Sequence, residues 1–259
     1  STAGAQVLVT DSEGLEHLLD PEVASYLPKL KLLVIAGQSG TRPISRFDKR
    51  SSSPPVISLD DLVRPYSARS AWEEIDAASP AMIRFTSGTT GPAKGILQSH
   101  LHVLGKSAVH NRVLGFSRDD VLYSPFPFHH NLASINGLIG TLQAGGTMVS
   151  ASRFSASRYW QEACDGEATL AHLLQPLAPL LSAQPPAETD RQHRVRLIWT
   201  GGPDPEFEAR FKARWIQIYA LGEIGLISHK QGDVKGSTNT GMPLPEMEVR
   251  IVDALDRPV

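Results

Sequence analysis

The sequence predicts an α/β fold, in which short strands alternate with helices and form sheets that the helices flank. Two observations support this prediction. Apolar runs rich in β-branched residues recur along the 259 residues, and stretches with helical spacing lie between them. The chain is also long enough to bury a core in one large domain or two small ones.

The apolar runs at residues 7–9, 32–35, 81–85, 121–123 and 197–199 are predicted as strands. Helices are predicted over residues 99–113, 133–142, 157–164 and 205–215. In the last helix, Pro205 suits a first turn, and Phe207, Phe211 and Trp215 follow at a spacing of four. The strands and helices are therefore interleaved along the chain.

The remaining segments have other patterns. Residues 41–55 and 183–194 are polar, contain proline and show no periodicity, which predicts surface loops. Residues 246–253 alternate between polar and apolar side chains, which predicts a half-exposed strand in a separate small sheet.

Composition argues against several classes of partner. The formal net charge is −2, so no basic field indicates nucleic acid or an anionic membrane. No apolar run approaches the roughly 20 residues that span a bilayer. The single cysteine, Cys164, cannot form an internal disulfide, and a reducing, cytoplasmic setting is expected.

A loop rich in glycine and hydroxyl groups follows the predicted strand that ends at Phe85. Polyphosphate binding needs closely approaching backbone N–H groups, hydroxyl donors and a cation. This segment supplies all three, whereas a flexible surface hairpin would be the plain alternative. Its residues are Thr86, Ser87, Gly88, Thr89, Thr90, Gly91, Pro92, Ala93, Lys94 and Gly95.

Two familiar nucleotide-binding loops do not match this segment. A Walker loop requires Gly-x-x-x-x-Gly-Lys-[Ser/Thr], but Gly88 and Gly91 are too close together and Lys94 is followed by glycine. The Gly-x-Gly-x-x-Gly fingerprint of dinucleotide-binding folds is also missing from it. The loop therefore disfavours P-loop kinases, GTPases and dehydrogenases.

The loop resembles the signature of the adenylate-forming superfamily, Thr-Ser-Gly-Thr-Thr-Gly-x-Pro-Lys-Gly. This superfamily includes acyl-CoA synthetases, nonribosomal-peptide adenylation domains and firefly-type luciferases. Only the proline is displaced, to Pro92, with Ala93 in its usual place. The resemblance implies that the loop holds the β- and γ-phosphates of ATP, with Thr86 and Lys94 among the catalytic residues.

Further segments resemble family motifs in the same order. The Phe128-His129-His130 segment resembles one whose histidine lines the acyl pocket, and Gly201-Gly202-Pro203 resembles a turn that packs against adenine. Adjacent histidines alone are weak evidence, and no third ligand stands at zinc spacing, so a zinc site is not expected there.

The segment from Gln217 to Glu223 resembles the family's Gln-Gly-Tyr-Gly-x-Thr-Glu. The resemblance implies that Tyr219 stacks on adenine, that Gln217 approaches the exocyclic amine and that Glu223 binds Mg²⁺. Leu221 is expected in the substrate pocket, with His129 and His130. Carboxylate and phosphate oxygens are the ligands that Mg²⁺ prefers.

Two positions depart from this motif. Ala220 replaces a glycine, and Gly222 replaces the threonine that contacts the α-phosphate, although both are still expected beside the nucleotide. Loss of one such donor typically raises a barrier by about 3 kcal/mol. The departures weaken the expectation of ordinary catalysis more than that of nucleotide binding.

The resemblance covers nearly the whole chain and extends to Gly241-Met242-Pro243-Leu244-Pro245. It implies that residues 1–259 are the central part of a large N-terminal domain, with layered sheets flanked by helices and the start of a small distorted β-barrel at the C-terminal end. The family's C-terminal domain, which carries a catalytic lysine, is expected to be absent, so this piece alone is expected to be weakly active or inactive.

The first hypothesis is an AMP-forming acid:CoA ligase of acyl-CoA synthetase type, with ATP, Mg²⁺, CoA and a small carboxylic acid. An adenylating enzyme with a carrier-protein or amine acceptor is the nearest alternative. A non-catalytic ATP-binding or assembly module is the alternative from another class, favoured by Ala220 and Gly222. The sequence specifies neither the acid nor an oligomeric state.

Overall fold

The computed structural model describes residues 4–18, 29–37, 54–65, 73–85, 94–200, 205–231 and 240–259. These residues form two compact units. The first contains the described residues up to Asp76 together with Lys94 and Gly95, and the second contains those from Ala77 to Phe85 and from Ile96 onwards.

The first unit is built on a small parallel sheet in the order β1-β2-β3. Helix α1 packs on it through Leu15, which is buried with Leu33 and Ile35. The predicted strands at residues 7–9 and 32–35 are confirmed. The elements are β1 (Val7–Thr10), α1 (Ser12–Leu18), β2 (Leu32–Ile35), β3 (Val56–Ser58) and α2 (Leu59–Val63).

The second unit contains a seven-stranded sheet in the order β12-β11-β10-β9-β8-β6-β7. The strands from β7 to β10 run parallel, whereas β11 and β12 are antiparallel to their neighbours. A separate two-stranded sheet joins β4 and β5. The strands are β4 (Pro80–Phe85), β5 (Gly95–Ser99), β6 (Val121–Ser124), β7 (Thr147–Ser150), β8 (Leu170–His172), β9 (Leu197–Thr200), β10 (Arg214–Leu221), β11 (Gly225–Gln231) and β12 (Met242–Pro243).

Helices flank both faces of this sheet. They are α3 (His100–Leu114), a π-helix (Leu132–Ile139) that continues into α4 (Gly140–Ala144), α5 (Tyr159–Asp165), a 3₁₀ turn (Gln175–Leu177), α6 (Ala178–Ser182), α7 (Thr189–Gln192) and α8 (Pro205–Phe211). The π-helix is a wide and uncommon form that often marks functional sites. The predicted helices at residues 99–113, 133–142 and 157–164 are confirmed, and so are the predicted strands at residues 81–85, 121–123 and 197–199.

Alternation along the strands divides the core into two layers. Tyr123 and Ile198 belong to a core that includes α5 and α8. Their neighbours Leu122 and Leu197 belong to a second core, which includes the end of α3 and the start of the π-helix. The layered α/β architecture expected from the sequence is therefore present.

The predicted helix over residues 205–215 is wrong at its end. The helix ends at Phe211, Lys212 has a positive φ of 53°, and β10 begins at Arg214. Trp215 is buried in the same core as Phe207 and Phe211, but it reaches that core from the strand. The spacing of four therefore reflected a shared core and not one continuous helix.

The predicted strand over residues 246–253 is wrong. The described residues of this segment make one bridge, between Val252 and Pro258, and no regular strand. The Asp253 carboxylate accepts hydrogen bonds from the backbone N–H groups of Leu255 and Arg257, at 2.8 and 3.1 Å, which favours a turn. The described residues accordingly form no closed barrel.

The two predicted loops have different outcomes. Residues 41–53, most of the first, lie outside the described residues. The second contains α7, whose Asp190 is buried and pairs with Arg210 at 2.9 Å. No described helix is both long and apolar enough to cross a bilayer.

Candidate active site

A cleft of about 480 Å³ opens at the carboxyl ends of the parallel strands. Residues that follow β6 and β8 line it, together with the last residues of β9 and β10. Its wall includes His130, Leu173, Trp199 and Ala220. In open α/β sheets, ligands bind outside these carboxyl ends. The volume also falls in the usual range for small-molecule sites.

Alternate residues of strand β10 differ in whether they line the cleft at this edge. Ile218 and Ala220 line the cleft, whereas Gln217 and Tyr219 do not. The register of β10 against β11 shifts between Tyr219 and Ala220, and such bulges re-aim side chains next to active sites. Tyr219 is 43% exposed, which leaves its ring free to stack on a planar ligand.

Gln217 is a buried side chain with an unused acceptor. It is 8% exposed, and its Oε1 has no hydrogen-bond partner among the described residues. A buried amide oxygen without a partner is costly, and a ligand N–H group would satisfy it. This observation fits the expectation that Gln217 meets the exocyclic amine of adenine.

The turn between β10 and β11 is held by side chains from β5 and α3. Gln98 Nε2 and Lys106 Nζ both donate to the Gly222 carbonyl oxygen, at 3.1 and 2.5 Å. His102 Nε2 lies 3.3 Å from the Ile224 carbonyl oxygen. His102 and Lys106 are four residues apart on α3 and therefore lie on one face of that helix.

Gly225 allows the Lys106 side chain to lie across this turn. Its φ is 104°, a conformation that favours glycine. A Cβ atom at this position would lie 3.0 Å from Lys106 Cγ. The glycine and the lysine stem therefore fit each other, and the ammonium is placed on the cleft wall.

Three basic side chains lie together on this wall: Arg84, Lys106 and His130. Burial, and then the charge of Arg84, lowers the pKa of Lys106 to about 8, although Glu223 opposes this change. Burial and the same Arg84 charge also lower the pKa of His130. His130 Nδ1 accepts a hydrogen bond from the Leu132 N–H at 3.2 Å, so Nε2 is the ring nitrogen that this bond does not use.

A buried hydrogen-bonded chain adjoins the cleft through His110. Asn111 Nδ2 donates to the Gly140 carbonyl oxygen, so its Oδ1 accepts from His110 Nδ1 at 3.3 Å. His110 Nε2 then accepts from His172 Nε2 at 3.0 Å, and His172 Nδ1 accepts from Ser124 Oγ at 3.0 Å. Every ring nitrogen is satisfied with both imidazoles neutral.

Part of the predicted site lies outside the described residues. This applies to Thr86, Ser87, Gly88, Thr89, Thr90, Gly91, Gly201, Gly202 and Pro203. Lys94 is described as an exposed residue immediately before β5, in the first unit. Their expected contacts with nucleotide stay predictions.

The remaining predicted residues meet at the carboxyl edge. His130, Ala220, Leu221 and Gly222 line the cleft. His129 does not line it, but its carbonyl oxygen accepts from Arg84 Nη2 at 3.0 Å. The structure thus brings together the segment after β6 and the end of β10, which lie far apart in the sequence.

Glu223 meets one requirement of a magnesium ligand, since its side chain is exposed in the turn after β10. Among the described residues, no ion pair occupies its carboxylate. The described residues contain no cluster of three potential metal ligands, so a metal here would need other ligands. Phosphate oxygens and water commonly supply these for Mg²⁺.

The sequence reasoning missed Arg84, Gln98, Lys106, His110 and His172. The polar residues His102, Lys106 and His110 repeat every four positions within a predicted helix, which was a usable signal for one functional face. Arg84 stood inside an apolar strand, where a buried cation calls for an explanation.

Comparison with known proteins identifies the family. The model of the AMP-binding enzyme family matches residues 1–259. Long-chain fatty acid transport protein 3 of Mus musculus is 33% identical over 240 residues, which are 93% of this chain and 34% of that protein. The medium/long-chain-fatty-acid–CoA ligase FadD6 of Mycobacterium tuberculosis is 33% identical over 179 residues, or 65% and 30% of the two chains.

Solved structures share the fold. The anthranilate CoA ligase AuaEII in complex with anthranoyl-AMP superposes with a TM-score of 0.81 at 16% identity, over 99% of this chain and 49% of that one. ATP-bound MatB from Rhodopseudomonas palustris gives 0.78 at 22% identity, over 99% and 48%. At these identities, the likeness establishes the fold alone.

The chain spans about a third of the length of the curated relatives that it matches. The family match, in contrast, runs over all of its residues and agrees with the order of motifs from the phosphate loop to the segment after β12. The chain therefore belongs to the AMP-binding enzyme family, the adenylate-forming enzymes, and has the fold of their N-terminal domain.

Proposed function

We propose that the protein to which this chain belongs activates a carboxylic acid with ATP, forming an acyl-adenylate and pyrophosphate, and then transfers the acyl group to CoA. The observation that carries the proposal is the cleft at the carboxyl edge, which shares the Ala220–Gly222 segment with the predicted nucleotide site. Resemblance to acyl-CoA ligases supports CoA as the acceptor.

The nucleotide would lie on the Tyr219 side of β10. Tyr219 offers an exposed ring for adenine, and Gln217 offers the buried Oε1 to the exocyclic amine. The loop from Thr86 to Gly91, with Lys94, would hold the β- and γ-phosphates. In this arrangement β10 separates adenine from the acid.

Glu223 would hold the metal. When bound, Mg²⁺ neutralises charge on the phosphate oxygens during the displacement at the α-phosphorus. Glu223 lies one residue beyond Gly222, whose carbonyl oxygen is fixed by Gln98 and Lys106. These contacts position the Glu223 backbone, so the carboxylate would need little reorganisation to accept the metal.

The acid would occupy the cleft. Leu132, Leu173 and Ile218 provide an apolar wall, and His130 provides a polar group on the opposite segment. His129 would act through its carbonyl contact with Arg84 and not through its ring. Leu221 contributes to the mouth, where it is 41% exposed.

A second candidate function is nucleotide binding without chemistry. It is favoured by Gly222, which supplies no hydroxyl to the reacting phosphate and whose carbonyl oxygen is already bonded to Gln98 and Lys106. A protein that binds Mg-ATP but forms no acyl-adenylate with any acid would have this second function. Transfer to an amine or a carrier protein would instead keep the first step and change the acceptor.

Replacing Lys94 with alanine is expected to weaken Mg-ATP binding about tenfold, because a cation that neutralises polyphosphate is removed. Isothermal titration calorimetry on the full-length protein measures this change. Lys31→Ala, at another exposed lysine, is the control and should leave the affinity unchanged. Equal affinity in Lys94→Ala and the unmodified protein would remove this lysine from the site.

A further inference from the structure

The cleft carries positive charge on one side and no carboxylate on its wall. Arg84 and Lys106 line it, and the described lining residues include neither Asp nor Glu. The rest of the lining is mainly apolar or uncharged, with Leu132, Leu174 and Ile218 as examples. Both side chains are half-buried, and an anion would compensate the cost of their partial desolvation.

Lys106 is fixed in place but is not neutralised by its bonds. Its stem packs against Gly225, and its ammonium donates to the Gly222 carbonyl oxygen at 2.5 Å. This bond uses one of the three N–H donors of the ammonium, and the carbonyl carries no net charge, so two donors and the positive charge remain. Burial lowers its pKa to about 8, which agrees with incomplete compensation.

Arg84 is also held with donor capacity left over. Its Nη2 donates to the His129 carbonyl oxygen at 3.0 Å. Its Nη1 is buried and has no hydrogen-bond partner in the part of the chain that the structure describes. Arg84 and Lys106 line the same cleft, and the Arg84 charge contributes to the lowered pKa of Lys106.

We propose that the cleft takes a carboxylic acid that carries a second anionic group, and that Arg84 and Lys106 hold this second group. The inference rests on the proposed function and specifies its substrate class, for which a dicarboxylate is the simplest member. Guanidinium and ammonium groups together give charge-assisted hydrogen bonds to carboxylate oxygens.

Arg84 and Lys106 are expected to bind the second anionic group and not the reacting carboxylate, because adenylation removes the charge of the reacting carboxylate. The reacting carboxylate becomes a neutral acyl group in the mixed anhydride. Cations dedicated to it would have only the adenylate phosphate as a counter-charge, and they would lose that as well when the acyl group passes to CoA. A second carboxylate keeps its charge before and after the reaction, so it satisfies Arg84 and Lys106 in every state of the site.

The test compares suberate with octanoate, which have the same chain length and differ in the second carboxylate, and includes the shorter glutarate. Calorimetry is done on the full-length protein with Mg-ATP present. At least one dicarboxylate is expected to bind tenfold or more tightly than octanoate. Lys106→Met and Arg84→Met should each remove this preference, because each weakens dicarboxylate binding by a larger factor than octanoate binding.

Controls separate charge from folding. Lys106→Arg keeps the charge and should keep most of the preference, and Arg118→Met, at an exposed arginine, should keep all of it. Equal or tighter binding of octanoate by the unmodified protein overturns the inference. Weaker binding of octanoate and dicarboxylates alike in both methionine variants also overturns it, because the cations would then hold the reacting carboxylate.

Failure of the underlying function has a different signature. If no acid of either kind supports ATP–pyrophosphate exchange by the unmodified protein, the proposed adenylation fails. If octanoate supports exchange and the dicarboxylates do not, adenylation stands and only the substrate class proposed here is wrong.

Discussion

Glu223→Gln is expected to slow ATP–pyrophosphate exchange by the full-length protein about a hundredfold, corresponding to about 3 kcal/mol in the barrier. The amide keeps the size of the side chain but removes the negative charge, and Mg²⁺ prefers anionic oxygen ligands. Gln98 and Lys106 bond to the backbone at Gly222, so the turn should keep its shape.

Two measurements distinguish a metal ligand from a structural residue. ATP binding measured in excess EDTA should be the same for Glu223→Gln and the unmodified protein, whereas Mg-ATP binding should be weaker. Glu248→Gln changes an exposed carboxylate elsewhere in the second unit and is the control. This variant should catalyse ATP–pyrophosphate exchange at the normal rate. Normal exchange by Glu223→Gln would remove Glu223 from the metal site.

The free energy of unfolding is expected to fall as the pH is lowered from about 6.5 to 4, because the His110–His172 pair must stay neutral in the folded protein. Burial lowers the pKa of His110 to about 4, and burial together with His110 and His130 lowers that of His172. A further proton on His110 Nε2 would place two N–H donors against each other at the 3.0 Å contact, and one on His172 Nδ1 would face the donating hydroxyl of Ser124.

The sign follows from proton uptake. Above the ordinary histidine pKa of 6.5, neither the folded nor the unfolded chain binds these protons, and stability is complete. Below it, the unfolded chain binds protons that the folded chain does not bind, so the free energy of unfolding decreases as the pH falls. For His110 alone, the loss reaches roughly 3 kcal/mol by pH 4.

Urea unfolding at a series of pH values measures this loss. A variant with His110→Leu, His172→Leu and Ser124→Ala replaces the chain of polar groups by apolar ones and should lack this part of the pH dependence. NMR titration of the unmodified protein gives a second reading that does not depend on the variant. Titration of both imidazoles near pH 6.5 in the folded protein would contradict the neutral pair.

Local sequence patterns predicted those helices and strands whose formation depends mainly on residues adjacent in the sequence. The strand at residues 121–123 and the helix at residues 99–113 are confirmed because apolar spacing and the Ser99 cap are local features. Strand β8 was missed because Leu170–His172 is too short to give a pattern. Strand β11 was missed because glycines and polar residues surround it.

Two errors have a common physical cause, which is that tertiary structure decides what a periodic pattern becomes. Trp215 continued the helical spacing, but the chain reverses at Lys212 and places it on β10. Residues 246–253 alternate like a strand, yet a strand also needs a partner, and Asp253 favours a turn.

The residues of the candidate site could be predicted only where they belong to a motif of consecutive residues in the sequence. The segment from Gln217 to Glu223 could be read directly, and its last residues do reach the cleft. Arg84 and Lys106 join them through the packing of β4 and α3 around the β10–β11 turn, which one-dimensional spacing does not reveal. The substrate class therefore became a testable question only with the fold.

The most direct test of adenylation is ATP–pyrophosphate exchange by the full-length protein, using a panel of monocarboxylic and dicarboxylic acids with Mg²⁺ present. We expect exchange that depends on the acid, that is highest with an acid of the preferred class and that is lost without the metal. Binding of Mg-ATP with no exchange for any acid would contradict the proposed function and favour a nucleotide-binding module.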